Sequence, residues 1–227
     1  ELSEAVMNET RNQLTDPRVS WELAKLEDYH PPGHFDLVVC CEVLEHLPDP
    51  RPALAEAARV IVPSTGLERI AREIWHQPPA RVTRIANGID TAAFAAPPRP
   101  EALPFAKLPG IRWVGTLAGL RAVKQLPILV EACASLPPEW HLVICGEGPE
   151  RAAILAAAGA HGMADRLHLP GAVDPASVVG LFDIFALSSD SEQQPISVME
   201  AMAAGLPVAA PMVGDVANMV APDNAIL

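Results

Sequence analysis

Three observations predict an α/β protein built on a parallel sheet covered by helices. Short apolar, β-branched runs alternate with helical segments along most of the 227 residues. Several of these runs, such as Phe35-Asp-Leu-Val-Val-Cys-Cys41, lack a polar face and suit strands buried on both sides. The composition is that of a packed globule, 50% hydrophobic and 19% charged. The length allows one large domain or two small ones. With 24 Pro, about twice the usual share, many loops and helix stops are expected.

The elements follow in order. Phe35 to Cys41 is a strand, and Arg51 to Arg59 reads as a helix. Val60-Ile-Val62 is a short strand, after which Pro63-Ser64 opens a helix through about Trp75. Val82 to Ile85 is a strand ended by the turn Asn87-Gly88. Pro97 to Pro109 holds five prolines and is a loop. Ile111 to Val114 is a strand, followed by a loop and a helix near Gln125 to Ser135. His141 to Cys145 is a strand, and Gly146-Glu-Gly-Pro149 leads into a helix through about Gly159. Arg166 to Leu169 is a strand, Pro175 to Leu181 a short helix, and Ile184 to Leu187 a strand. Pro195 to Ala204 is a helix and Pro207 to Ala210 a strand.

Charge and composition exclude some functions. With 16 Lys+Arg against 28 Asp+Glu, the net charge of -12 argues against a nucleic-acid or anionic-membrane surface. No apolar run is long enough to cross a membrane; the uncharged stretch from Ala201 to Gly214 is broken by Gly205, Pro207 and Pro211. No basic segment followed by an apolar one opens the chain. Cys40, Cys41, Cys133 and Cys145 lack metal or redox spacing and read as reduced, buried thiols. A cytoplasmic location is expected, with attachment at the inner membrane surface as an option. The start at Glu1 and the end at Leu227, just after a strand, suggest a piece of something longer. Residues 1–62 hold 12 acids and 5 bases (-7), leaving 16 and 11 (-5) for residues 63–227, a hint of two origins.

The chemistry concentrates between Ser188 and Pro207. Pro195 suits the first helical position, where its missing N–H costs nothing. Gly205 suits a left-handed helix end. Glu192 precedes this helix, Glu200 lies on its second turn, and the first amides, near Ile196 to Val198, are free to meet an anion. A carboxylate can accept from two neighbouring hydroxyls of a sugar or ribose. The same spacing also suits an ordinary helix with one acid at its N-terminus and one on its surface.

Glu192 and Glu200, followed by Ala-Met-Ala-Ala-Gly-Leu-Pro-Val208, resemble the signature of family 4 (group 1) retaining glycosyltransferases of the GT-B fold. Ile61-Val-Pro-Ser64 resembles the segment entering that fold's C-terminal domain. Arg84-Ile-Ala-Asn-Gly-Ile-Asp90 with Phe94, Trp113-Val-Gly-Thr-Leu117 through Lys124, Cys145-Gly-Glu-Gly-Pro-Glu-Arg151 and Leu169-Pro-Gly171 resemble further motifs, in the family's order. The set covers about residues 58–227. It implies a Rossmann-like parallel sheet with helices on both faces, the C-terminal half of a GT-B fold. It also implies transfer of a hexosyl group from a UDP- or GDP-sugar to a sugar or lipid-linked acceptor, with no obligatory cofactor and no metal.

The resemblance assigns roles by position. Glu200 would bind the ribose, and Glu192 the transferred sugar. Amides near Ser197 and Val198 would hold the sugar or phosphate end. Lys124, one of three Lys in the chain, would neutralise the leaving diphosphate. Gly115 and Thr116 would lie in the donor loop. The family often has Arg after that glycine; here it is Thr116, and Arg121 either substitutes or is a solvated loop residue. Gly146 and Gly148 either serve the turn or let backbone approach the base.

Residues 1–58 resemble instead the middle of a class I S-adenosylmethionine-dependent methyltransferase, a partial Rossmann-like segment. Phe35 to Val39 would be its fourth strand and Glu42-Val-Leu-Glu-His-Leu47 the segment after it. Glu1 would bind the ribose, and Glu27 or Asp28 would lie near the adenine. The glycine-rich loop that should precede Glu1 is not in the sequence, so S-adenosylmethionine binding is not expected, and His46 reads as a structural or relic residue. His30 and His34 flank Pro31-Pro32, which excludes a helical metal face. The expected division is a methyltransferase-like segment at 1–60 and a C-terminally truncated donor-binding domain at 61–227. The acceptor would need a further N-terminal domain. A methyltransferase fragment or an inactive fusion relic is the alternative.

Overall fold

The structure is a computed structural model and describes Leu54 and residues 59–220. The expected strand at 35–41, most of the helix at 51–59, Cys40, Cys41, His30, His34, His46, Glu1, Glu27 and Asp28 lie outside the described residues. Two compact units are present. One comprises Glu1–Val60 with Ala71–Thr83, the other Ile61–Ile70 with Arg84–Leu227.

In the first unit, Ala71, Trp75 and Val82 are buried. The Gln77 N–H donates to the Ala71 carbonyl (2.9 Å). Arg59 and Arg81 donate to the carbonyls of Ala80 and Leu54 (both 3.4 Å).

The larger unit carries a five-stranded parallel sheet. In chain order the elements are β1 (Val60–Val62), α1 (Thr65–Glu73), β2 (Val82–Arg84), α2 (Thr91–Ala95), β3 (Arg112–Leu117), α3 (Leu126–Ala134), β4 (Trp140–Cys145), α4 (Arg151–Ala160), β5 (Leu167–Gly171), α5 (Pro175–Val178), β6 (Ile184–Ala186), α6 (Ile196–Ala203), β7 (Val208–Ala209) and α7 (Val216–Met219). The sheet order is β5-β4-β3-β6-β7. β1 and β2 lie outside that sheet. No helix among the described residues is long and apolar enough to cross a membrane.

The strands explain their own composition. In β4, Leu142 to Cys145 are all buried, because successive side chains enter opposite faces and both faces are covered. Val114, Leu142 and Ile144 pack under α3 and α4, against Leu126, Val130, Ile154 and Ala158. Trp113, Val143, Cys145 and Phe185 meet Val178, Phe182, Val198 and Ala201 on the other side. Each such side chain contributes about 1.5–3 kcal/mol on leaving water. Cys133 and Cys145 are free and buried, and burial pushes their thiols up to about 11 and about 12, so both are inert as nucleophiles.

β3 is longer than its sequence suggests. It continues through Gly115 and Thr116, because Gly115 makes room for an aromatic ring. A Cβ there would lie 2.1 Å from the Phe182 ring. Gly115→Ala should therefore cost about 1–3 kcal/mol in a denaturant melt, and Phe182→Leu in the same chain should recover part of the loss. Equal stability of Gly115→Ala and wild type would refute this packing.

The proline-rich loop straps the Trp113 face. Leu103 is buried, and Phe105 meets Trp113 edge-on with centroids 5.8 Å apart. Lys107 donates to the Leu181 carbonyl (3.0 Å) and pairs with Asp183 (2.5 Å). Below Phe105, His141 Nδ1 and His168 Nε2 are 2.9 Å apart and the rings stack. Burial, then the Arg166 charge for His141 and the His141 charge for His168, lower both from 6.5. The unfolded chain therefore binds protons first, and stability should fall as pH drops below about 6.5, levelling out below the lowered folded values. Urea melts over that range should show this slope, and His168→Gln should flatten it.

Candidate functional site

The order β5-β4-β3-β6-β7 reverses direction beside β3: the chain winds outward through β4 on one side and through β6 on the other. The loops leaving the carboxyl ends of β3 and β6 therefore diverge to opposite faces, and the crevice between them is where doubly wound sheets take ligands.

These two loops are tied together. The Asp190 N–H donates to the Val123 carbonyl (2.9 Å), and the Ser188 hydroxyl to the Lys124 carbonyl (2.7 Å). Lys124 Nζ meets Glu192 Oε1 at 2.6 Å. The Ser189 hydroxyl donates to the same oxygen (2.6 Å). Lys124 and Glu192 are only 17% and 11% exposed, so the pair is largely desolvated. Arg121 stands exposed at the start of the single helical turn 122–124.

α6 follows the loop. It spans Ile196–Ala203, with Pro195 as its cap rather than its first residue. The Val198 N–H donates back to the Pro195 carbonyl (3.2 Å). The amide expected to serve a ligand at Val198 is thus already engaged, and its side chain is buried. Among the described residues, the Ile196 and Ser197 amides meet no acceptor. Gly205 closes the helix in the left-handed region (φ 75°); its N–H donates to Met202 and that of Leu206 to Ala201 (both 3.0 Å), a Schellman end.

Glu200 is half-buried on the second turn. Burial, and then the charge of Asp174, raise its pKa. Among the described residues its carboxylate makes no hydrogen bond or ion pair, so its lone pairs remain open to a donor.

The four candidate loop residues need correction. Gly115 and Thr116 are interior to β3, and Thr116 is buried; the loop after β3 begins only beyond Leu117. Gly146 and Gly148 have φ of 149° and 155°, and a Cβ on either would strike Ala118 or Leu120 backbone (1.9 and 2.5 Å). Their bare faces admit the β3 loop, whose Ala118 and Leu120 N–H groups donate to Cys145 and Glu147 (3.0 and 2.8 Å). The backbone that approaches these two glycines is the protein's own.

A second ring of contacts escaped the sequence reading. The Ser64 hydroxyl caps α1, accepting from the Leu67 N–H (3.0 Å), and donates to Gln193 Oε1 (2.9 Å). The Asn87 N–H donates to Gln194 Oε1, and Asn87 Nδ2 to the Gln194 carbonyl (3.1 Å). The Asp215 N–H donates to the Gln193 carbonyl (2.9 Å), and its buried carboxylate accepts from the Thr65 N–H (2.9 Å) and hydroxyl. The Asn87-Gly88 motif was a signal for one of these; Asp215 offered none.

The family model "Glycosyl transferases group 1" matches residues 109–227, just over half of the chain. A methyltransferase domain model matches residues 1–66. A GDP-mannose-dependent alpha-mannosyltransferase of Mycolicibacterium smegmatis is 32% identical over 176 residues, 74% of this chain and 43% of that protein. A ubiquinone biosynthesis O-methyltransferase of Thiobacillus denitrificans is 42% identical over 67 residues, 28% of this chain and 29% of that protein. The chain thus spans less than half the length of these relatives. Among solved structures, a UDP complex of HepE from Anabaena superposes with a TM-score of 0.69 at 23% identity, covering 81% of this chain and 54% of that one. Its fold is GT-B. The doubly wound sheet, the ordered motifs and the family match lead to one conclusion: the chain belongs to the group 1 glycosyltransferases.

Proposed function

We propose that residues 61–227 are the donor-binding half of a retaining glycosyltransferase that moves a hexosyl group from a UDP- or GDP-sugar to a sugar or lipid-linked acceptor. The observation that carries this reading is the desolvated Lys124–Glu192 pair at the switch point, beside the loop that leads into α6. Lys124 faces the diphosphate and offsets the charge that grows as the nucleotide departs. Arg121 adds a second cation at the rim. The Ser197 amide faces the phosphate or sugar end. Glu192, held by Lys124 and Ser189, accepts from hydroxyls of the transferred sugar. Glu200, with no partner among the described residues, accepts from the ribose hydroxyls. The UDP bound in HepE and the GDP-mannose dependence of the mycobacterial relative support the ligand class. A further domain supplies the acceptor surface, so this chain binds donors and turns over little.

Titration with UDP, GDP and S-adenosylmethionine, followed by melting temperature, tests the reading. At about 100 Kd of free ligand one nucleotide should stabilise the fold by about 2.7 kcal/mol. Stabilisation by S-adenosylmethionine alone would support the methyltransferase alternative, and no response to any of the three would support an inactive relic.

A further inference from the structure

Glu192 sits on a loop without secondary structure, between β6 and α6. Such a segment samples many conformations unless neighbours hold it. Three elements hold this one, through the two residues that follow Glu192. Ser64, at the start of α1, reaches Gln193 from 129 residues away. Asn87, after β2, grips Gln194 through both its backbone and side-chain N–H groups. Asp215, before α7, takes hold of the Gln193 carbonyl and is itself anchored by Thr65. Gly214 permits this approach: it is left-handed (φ 54°), and a Cβ on it would lie 2.3 Å from the Glu192 carbonyl oxygen. Ser64 and Asp215 are buried, so these bonds are shielded from competing water. Ser64 and Thr65 also fall within the methyltransferase match at 1–66, yet their partners are Gln193 and Asp215 of the glycosyltransferase unit.

We propose that Ser64, Asn87 and Asp215 are positioning residues for Glu192, acting through Gln193 and Gln194. They set how much the transferred sugar adds to donor affinity over the bare nucleotide. This rests on the reading of Glu192 as the sugar contact, and the test separates the two.

The full chain is titrated with UDP, UDP-glucose, GDP and GDP-mannose. For the base that binds, the ratio of nucleotide to nucleotide-sugar Kd is compared among wild type, Asn87→Ala, Gln193→Ala and Glu192→Ala. Asn87→Ala and Gln193→Ala should each reduce that ratio about threefold to tenfold, the weight of one hydrogen bond. Adding Asn87→Ala to Glu192→Ala should change the ratio no further, because the residue acts through Glu192. A merely structural role would weaken nucleotide and nucleotide sugar alike, and that result overturns the inference. Hydrogen exchange of residues 188–195 gives a readout independent of ligand. Faster exchange there in Asn87→Ala supports the inference, and unchanged exchange overturns it. Failure of wild type to bind any of the four ligands would sink the donor-site reading, while the exchange result still decides whether these residues hold the loop.

Discussion

Lys124→Met should lower unfolding free energy by about 3 kcal/mol, because removing one partner of a buried pair leaves an uncompensated charge. The loss should be no larger, since Glu192 keeps the Ser189 hydroxyl and some solvent. In a domain of this size, the melting temperature should fall by about 6–12 °C. Adding Glu192→Gln should recover most of the loss, because the stranded charge is then gone. A Lys124→Met chain that melts with wild type would show that the pair contributes nothing to the fold. Nucleotide affinity discriminates further: on the proposed role of Lys124 it should be low in the single variant and stay low in the double variant, which has regained stability but keeps only Arg121 at the rim.

Glu200→Ala should reduce nucleotide affinity about tenfold to a hundredfold, the range for hydrogen bonds to a charged group. The pH dependence follows from its surroundings. Burial and the Asp174 charge raise the Glu200 carboxyl above its usual value of 4.5. In the proposed role the ionised form accepts from the ribose hydroxyls, so affinity should decline as pH falls through that raised value, earlier than for an ordinary glutamate. Calorimetric titration of the nucleotide across this range should show the decline in wild type and lose it in Glu200→Ala. Asp174→Asn should shift the decline to lower pH. A decline that persists unchanged in Glu200→Ala would assign the proton to another group.

Much of the architecture was legible from local chemistry. Pro195 and Gly205 bracket α6 because one presets the helical entry and the other permits the left-handed exit. β4 was legible because burial on both faces leaves an unbroken apolar run. α2 was missed: it is one turn long, and its signal is the Asp90 side chain accepting from the Ala92 and Ala93 N–H groups (3.1 and 3.4 Å). β3 was cut short because a glycine inside a strand reads as a break. Its justification, the Phe182 ring, lies 67 residues further on. Sequence leaves Gly146 and Gly148 either to the turn or to the base, because it cannot show that Ala118 and Leu120 already cross them.

The site divides in the same way. The residue types at Lys124, Glu192 and Glu200, and their order, were determined by sequence alone, and with them the α/β class and the family. The folded chain alone decided that Lys124 and Glu192 form a desolvated pair while Glu200 keeps a carboxylate unpaired among the described residues. It also placed Ser64, Asn87 and Asp215 around the Glu192 loop. The reason is range. Helix caps, strand alternation and turns depend on neighbours within a few residues, whereas the Lys124–Glu192, Asn87–Gln194 and Ser64–Gln193 contacts join residues 68 to 129 positions apart, and only the winding of the sheet brings them to one crevice.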